Sequence, residues 1–329
     1  MPSPDRAPGE LRFDPLTREW VNIVAHRQHR PNLPDDGCPF CPGGLEAPER
    51  YDVRCFPNRW PAFAPGAPID LAAAEPPGGD SGDSGDSGTV GAVGACEIVL
   101  FSPEHDQSLG TLAVEQVRKV IDLWADRTEA LYARPEIAYV LVFENRGREV
   151  GATIDHPHGQ IYAYPAVPPA PAREAANARA HGCAVCADAA REAADGTRVV
   201  TTAGDWVAWV PYAARYAYGM TLAPRTHTAS FPALDDTRRD DLARVLTDAL
   251  GRYDRLWPGA GPAPYMCWFH QAPAPGADPD ADAWHIHAHV APPWRAAGVA
   301  RYVAAGELGS GTFSNPVRPE DAAAALRNA

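Results

Sequence analysis

No stretch of the 329-residue chain is apolar for long enough to cross a bilayer, and the opening Met1-Pro2-Ser3-Pro4-Asp5 lacks the basic-then-apolar pattern of a signal peptide. Neither a membrane-spanning nor a secreted protein is expected, and a cytoplasmic location is. Positive charge is also in short supply: 29 Lys and Arg against 42 Asp and Glu leave a formal charge of −13 and a pI near 5.3. That balance argues against a broad basic surface for nucleic acid, so any anionic ligand needs a local cationic patch. Cysteine does not come in the even number that disulfides favour. Four of the seven fall in two C-x-x-C pairs, Cys38/Cys41 and Cys183/Cys186, while Cys55, Cys96 and Cys267 stand alone. Such usage suits thiols and metal ligands in a reducing compartment. With 45% hydrophobic residues, the chain is long enough for one large or two modest soluble domains.

The most informative run is Asp155-His156-Pro157-His158-Gly159-Gln160, which leads into the strand-like Ile161-Tyr162-Ala163-Tyr164. Alternate residues of an extended segment share a face, so His156, His158 and Gln160 converge while Pro157 and Gly159 turn away. One imidazole can bind a metal while the next attacks phosphorus, and the amide can only donate and accept hydrogen bonds. A purely structural zinc site or a satisfied polar pocket would also place histidines this way. The wider sequence favours chemistry: Cys38, Cys41, His105 and His156 supply two thiolates and two imidazoles, the tetrahedral set that zinc prefers. Arg27 and Arg30, three apart after the strand-like Trp20 to Val24, are the best candidates for forking onto phosphates, although a solvated basic turn has the same composition.

An internal repeat organises the chain. The first half runs from Cys38-x-x-Cys41 through a strand Ile98 to Phe101, a helix with Val117, Val120, Ile121, Trp124 and Leu131 on one face, and a strand Tyr139 to Phe143, to His156-Pro157-His158. The second repeats the order: Cys183-x-x-Cys186, strands Trp206 to Val210 and Met220 to Ala223 ending near His227, and a helix with Leu242, Val245, Leu246, Leu250 and Tyr253. A strand Tyr265 to Phe269 and then His287-Ala288-His289 complete it. The boundary is expected near residue 170, giving halves 1–170 and 171–329. The segment 75–88, with Asp-Ser-Gly three times over, reads as a disordered insertion because its composition cannot bury a core.

The arrangement resembles the histidine-triad superfamily, and within it the galactose-1-phosphate uridylyltransferase family, whose members fuse two histidine-triad-like halves. The resemblance rests on Phe101-Ser102-Pro103-Glu104-His105, Phe143-Glu144-Asn145, His156-Pro157-His158-Gly159-Gln160 and His287-Ala288-His289, and spans nearly the whole sequence. It implies an α+β fold of two similar halves, each an antiparallel sheet with a long helix, and a homodimer. It also implies that His158 takes a uridylyl group from UDP-glucose and passes it to galactose 1-phosphate, that Gln160 hydrogen-bonds the phosphoryl oxygens, and that His156 is a zinc ligand. Arg27, Arg30, Asn58, Asn145, Gly151 and Thr153 match positions that contact nucleotide or phosphate, although turn formation and strand packing also explain the asparagines, Gly151 and Thr153. Glu307 matches a glutamate that helps hold the hexose. Where a glutamine would follow, Phe313 stands nearest, so sugar and base are less firmly indicated than the reaction.

Physical chemistry agrees with that reaction: a neutral imidazole is a competent nucleophile at phosphorus, and a covalent nucleotidyl-imidazole splits the exchange into two half-reactions at one pocket. Three competitors remain: a phosphorylase of nucleotide sugars, a nucleotide hydrolase, which would carry a third histidine in place of Gln160, and a non-enzymatic nucleotide-binding module. In the second half, His289 reads as the counterpart of His158, with Val290 and Ala291 after it, so that half is expected to be non-catalytic. Its ligands admit two groupings: Cys183, Cys186, His227 and His287, which copies the first set and favours zinc, or Glu174, His270, His287 and His289, which resembles a structural iron site. His26, His29, His181 and His285 read as ordinary surface or packing histidines.

Overall fold

The computed structural model of the chain describes residues 9–29, 37–76 and 88–329. Arg30 and most of the Asp-Ser-Gly segment lie outside the described residues. The strands are β1 (Glu10–Asp14), β2 (Glu19–Ile23), β3 (Arg54–Pro57), β4 (Thr89–Gly91), β5 (Ala95–Leu100), β6 (Tyr139–Arg146), β7 (His158–Tyr164), β8 (Val199–Ala203), β9 (Trp206–Trp209), β10 (Met220–Pro224), β11 (Tyr265–His270) and β12 (His287–Ala291). The main helices are α1 (Val114–Tyr132), α2 (Pro169–His181), α3 (Ala184–Asp195) and α4 (Asp236–Leu256), followed by the short α5 (Ala305–Ser310) and α6 (Pro319–Arg327). Each strand and long helix expected from periodicity is present, shifted at its ends by a few residues.

The two halves do not keep separate sheets. One nine-stranded antiparallel sheet runs β3-β5-β7-β6-β11-β12-β10-β9-β8, and the halves meet where β6 pairs β11. Outward from that seam the order is symmetric, β6 with β11, β7 with β12, β5 with β10 and β3 with β9, leaving β8 as the extra edge strand. Phe143 and Trp268 face each other across the seam. Phe143 also pairs Gln160, and Trp268 pairs His289. A pseudo-twofold axis therefore passes between Phe143 and Trp268 and relates Gln160 to His289.

Both long helices cover one face of this sheet. On α1 the buried positions include Val117, Val120, Ile121, Trp124 and Leu131, and on α4 Leu242, Val245, Leu246, Leu250 and Tyr253, the three-four spacing of a single helical stripe. They share one core with Ile161, Ala163, Val142 and Phe269 from the sheet. Each fully buried branched or aromatic side chain there contributes about 1.5–3 kcal/mol relative to exposure. The Asp235 side chain caps α4 by accepting from the Arg238 amide at 2.8 Å. Close approach is set by glycine: a Cβ on Gly110 would lie 2.6 Å from the Gly251 nitrogen.

Period-two alternation on β7 then fixes where chemistry can occur. Gly159, Ile161 and Ala163 are buried, while His158, Gln160, Tyr162 and Tyr164 are half-buried on the face away from α1 and α4. In the first half that opposite face carries the three-stranded sheet β2-β1-β4, whose Leu11 clusters with Phe63 and Tyr164. In the second half α2 and α3 cover it, with α3 lying on β9 and β10.

Candidate active site and metal centres

His158 begins β7 and points into a cavity of about 230 Å³ lined also by Arg27, Phe143, Asn145, Gly151, Thr153 and Gln160. The His158 Nδ1–H donates to the His156 carbonyl at 2.8 Å, which leaves Nε2 with its lone pair. The Phe40 ring meets the imidazole edge-on at 5.1 Å and fixes its plane. Gly159 is required between the two polar residues, because a Cβ there would sit 2.8 Å from Cζ of Phe101 and 3.0 Å from the Phe143 carbonyl oxygen. Behind Gln160, the Asn58 amide nitrogen donates to its Oε1 at 3.4 Å while Asn58 Oδ1 accepts from the Trp60 amide at 2.8 Å. With its carbonyl engaged, the Gln160 side chain can offer an anion only its amide hydrogens.

Arg27 belongs to the short 3-10 turn Ala25–His29 that follows β2, and Gly151 adopts a left-handed φ of 84° closing the turn Arg148–Val150. Arg27, Asn145, Gly151, Thr153, His158 and Gln160 are thus brought together, with Asn58 one layer behind. Glu307 is not: it caps the start of α5, accepting from the Ala304 amide at 3.1 Å and the Ser314 amide at 2.8 Å, and pairs with Arg301. Phe313 packs 6.1 Å from Tyr216.

Directly beneath His158, one ligand atom each from Cys38, Cys41, His105 and His156 lie within 4.8 Å of one another. The Cys41 sulfur is 3.5 Å from Nδ1 of His105 and 3.6 Å from Nδ1 of His156. His156 is fully buried, and its Nε2–H donates to the Ser102 carbonyl at 2.8 Å beside the Tyr51 hydroxyl, also at 2.8 Å. That tautomer turns a bare Nδ1 toward the sulfurs, and burial holds the imidazole neutral by lowering its pKa. Burial and the neighbouring Cys38 push the Cys41 thiol up to about 11, so a cation is needed to ionise it near neutral pH. Two thiols and two imidazoles, one of them with a preset tautomer, fit a zinc ion.

The second half contains two further groups that do not share a residue. Cys183, Cys186, His227 and His285 form one, and Glu174, His270, His287 and His289 the other. His285, not His287, completes the cysteine quartet. Its Nδ1 lies 3.4 Å from the Cys183 sulfur and 3.3 Å from that of Cys186, and its Nε2–H donates to the Pro224 carbonyl at 3.0 Å, the contact His156 makes with Ser102. His287 in turn donates from Nδ1 to the His285 carbonyl at 2.8 Å, as His158 does to His156. The repeat therefore aligns 285–289 with 156–160. His287 is the counterpart of His158, and His289 stands where Gln160 does, two residues away from the expected pairing. His285 is no ordinary packing residue; the same offset of one histidine, read along His285-Ile286-His287-Ala288-His289, is the signal that locates it.

The carboxylate group occupies the dyad image of the first cavity, since His270 follows Trp268 on β11 as Asn145 follows Phe143 on β6. Glu174 reaches in from α2, accepting from His270 at 2.7 Å, with His287 at 3.5 Å and His289 at 3.8 Å. Burial opposes ionisation of Glu174, but hydrogen bonds from the three imidazoles outweigh it and hold the carboxyl well below the usual range. Three imidazoles and a carboxylate suit iron or zinc. Among the described residues, no helix is long and apolar enough to cross a membrane.

Comparison with known proteins matches this geometry. The family model for the N-terminal domain of galactose-1-phosphate uridyl transferase covers residues 4–168, and that for the C-terminal domain covers 175–328. The galactose-1-phosphate uridylyltransferase of Thermotoga maritima is 34% identical over 97% of this chain and 98% of its own length, and that of Streptomyces lividans is 36% identical over 80% and 70%. A solved uridylyltransferase superposes with a TM-score of 0.81 at 30% identity, covering 97% of both chains. An ADP-glucose phosphorylase from Arabidopsis thaliana, 24% identical with a TM-score of 0.70, shares the fold over 98% of this chain and 99% of its own.

Proposed function

The chain belongs to the galactose-1-phosphate uridylyltransferase family, and from that premise we propose that it exchanges a uridylyl group between UDP-glucose and galactose 1-phosphate through His158. The observation that carries this reading is the His158 Nδ1–H bond to the His156 carbonyl at 2.8 Å, which fixes the tautomer so that Nε2 carries a lone pair and no proton in a ring that lines the cavity. Nε2 attacks the α-phosphorus of UDP-glucose, the bond from that phosphorus to the bridging oxygen breaks, and glucose 1-phosphate departs with the electron pair. A phosphate oxygen of galactose 1-phosphate then attacks the same phosphorus and releases the imidazole as UDP-galactose forms. Arg27 and the Gln160 amide offset charge on the non-bridging oxygens, which is most of what such a transfer requires. At about 230 Å³ the cavity is below the usual range for a whole small-molecule site, so it takes the reacting phosphate end while sugar and base extend beyond it.

Cys38, Cys41, His105 and His156 would hold a zinc ion that supplies no reacting group; bound there, it would fix His156, whose carbonyl sets the tautomer of His158, and so would act through position. Zinc on Cys183, Cys186, His227 and His285, and iron or zinc on Glu174, His270, His287 and His289, fasten α2 and α3 to the sheet. A catalytic half up to about residue 170 and a metal-bearing half after it belong to the same reading, as does a cytoplasmic homodimer. A sugar-binding role for Glu307 is not part of this reading, since Glu307 does not line the cavity and is engaged at the start of α5. The duplicated cysteine quartet also favours a second reading, phosphorolysis of an ADP-sugar through the same histidine.

Incubation with UDP-glucose alone tests the step. Intact mass should show one added uridylyl group per chain, stable to base, labile to acid and absent from His158→Ala. If the protein releases free UMP steadily instead, or takes up no group, covalent transfer is wrong. Running the assay with ADP-glucose, and with phosphate against galactose 1-phosphate as acceptor, separates the two readings.

A further inference from the structure

The dyad that relates the halves also relates two cavities, and the unexplained one is larger. It measures about 550 Å³ and opens above Glu174, His270, His287 and His289, with Trp268, Trp284, Tyr216 and Arg215 in its walls. That volume lies within the range of small-molecule sites. Its floor is the image of His158, Gln160 and Asn145, which face the first cavity. We propose that this second cavity is a separate, metal-dependent binding site for a phosphorylated nucleoside, holding it without reacting with it.

Charge decides the ligand class. A divalent ion on three neutral imidazoles and one carboxylate leaves a net positive floor, whereas the same floor without an ion carries the negative charge of Glu174. Arg215 adds a second cation at the wall, stacked on the Phe313 ring at 5.4 Å rather than paired with a carboxylate among the interactions of the described residues. The indole and phenol walls present flat faces on which a base can stack. A phosphate on the floor and a base against Trp268 or Trp284 would use both features. Chemistry stops at binding because the His287 Nδ1–H goes to the His285 carbonyl at 2.8 Å and its Nε2 stands among the four ligand atoms, 3.5 Å from Glu174, where a bound ion would take its lone pair.

Equilibrium dialysis of the metal-loaded full chain against labelled UMP tests this. Two molecules per chain are expected, and one should remain exchangeable after His158 has been uridylylated. Arg215→Ala should weaken the exchangeable site at least tenfold. Glu174→Ala should abolish it together with the metal of that group. Neither substitution should change the yield of the His158 adduct. Should Glu174→Ala fail to fold, Arg215→Ala, whose side chain is on the surface, carries the test alone. One UMP per chain in the unaltered protein, or unchanged affinity in Arg215→Ala, overturns the proposal, and leaves the His158 adduct unaffected.

Discussion

The first half presents an imidazole and an amide to an open cleft, while the second, at the same strand positions, presents two imidazoles to a carboxylate from α2. His158 and His287 share a backbone setting, each donating Nδ1–H to the carbonyl two residues back at 2.8 Å. Their fates differ because of what stands opposite the other nitrogen: a cavity for His158, Glu174 for His287. One fold element thus faces a cavity or joins a ligand cluster according to a single helix packed across it. Removing each histidine in turn is the strongest way to break the comparison. His158→Ala should lower transfer by roughly 10⁴-fold or more, since the bond-forming atom is gone. His287→Ala should leave adduct formation within a few-fold of normal and lose one metal ion per chain by elemental analysis. Equal losses of activity in the two variants would show that the halves are not divided as described.

Two carboxyls, one exposed at its cavity and one buried, sharpen the contrast from another side. Three imidazoles hold the Glu174 carboxyl below the usual range, whereas Glu144, buried on β6, is raised to about 7 by burial, with Arg146 and the Tyr265 hydroxyl, donating at 3.0 Å, opposing the shift. A carboxyl raised from 4.5 to about 7 stabilises the fold fully below pH 4.5, and that stability is lost as pH climbs through 7. The loss is about 3 kcal/mol for one proton over that span. Urea unfolding between pH 5 and pH 8 should show it, and Glu144→Gln should flatten the profile; an unchanged slope in that variant would assign the pH dependence elsewhere.

Smaller effects separate the two cysteine quartets. Cys41→Ser should remove one metal and slow transfer about 10- to 100-fold, because the ligand it frees, His156, orients the nucleophile. Cys186→Ser should also remove one metal and lower the melting temperature, with transfer nearly unchanged, since its partner His285 is coupled to His287 and not to the cleft. Metal content measured beside the melting temperature and the rate distinguishes the two, and a rate loss in Cys186→Ser as large as that in Cys41→Ser would contradict the assignment.

What could be read from the sequence follows from which interactions are local. The helical stripes of α1 and α4, the strands and the face shared by His156, His158 and Gln160 follow from spacing within one segment, while the first quartet, drawn from three distant segments, follows from its ligand types alone. Fusion of the halves into one sheet does not, because the β6–β11 seam pairs residues more than a hundred positions apart. In the second half the structure brings together the carboxylate group as expected, but gives the cysteine group His285 where His287 is expected, and the misplacement has a sharper cause: His285-Ile286-His287-Ala288-His289 offers three histidines at period two, so two alignments to His156-Pro157-His158 fit the spacing equally well. Only the carbonyl contacts to Pro224 and His285 choose between them. Likewise Tyr51 and Phe40, which hold His156 and His158, carry no motif, and nothing in the order of residues places Asn58 behind Gln160.

Position 159 offers the finest distinction between the halves. Ala288 occupies the matching place on β12 and is buried with its methyl group accommodated, whereas Gly159 has Phe101 against it, itself packed 5.9 Å from Trp124 in the main core. A methyl group at 159 would meet Cζ of Phe101 at 2.8 Å and the Phe143 carbonyl oxygen at 3.0 Å. The ring can give only by disturbing Trp124, and the carbonyl belongs to the seam between the halves. Gly159→Ala should therefore cost about 1 kcal/mol in urea unfolding through overpacking. Because His158 and Gln160 flank it, the same strain should reach the cleft, reducing the rate of adduct formation more than the affinity for UDP-glucose. A variant that is as stable and as fast as the parent would mean that the strand has room to move away from Phe101, and that the glycine is not what sets the nucleophile's depth.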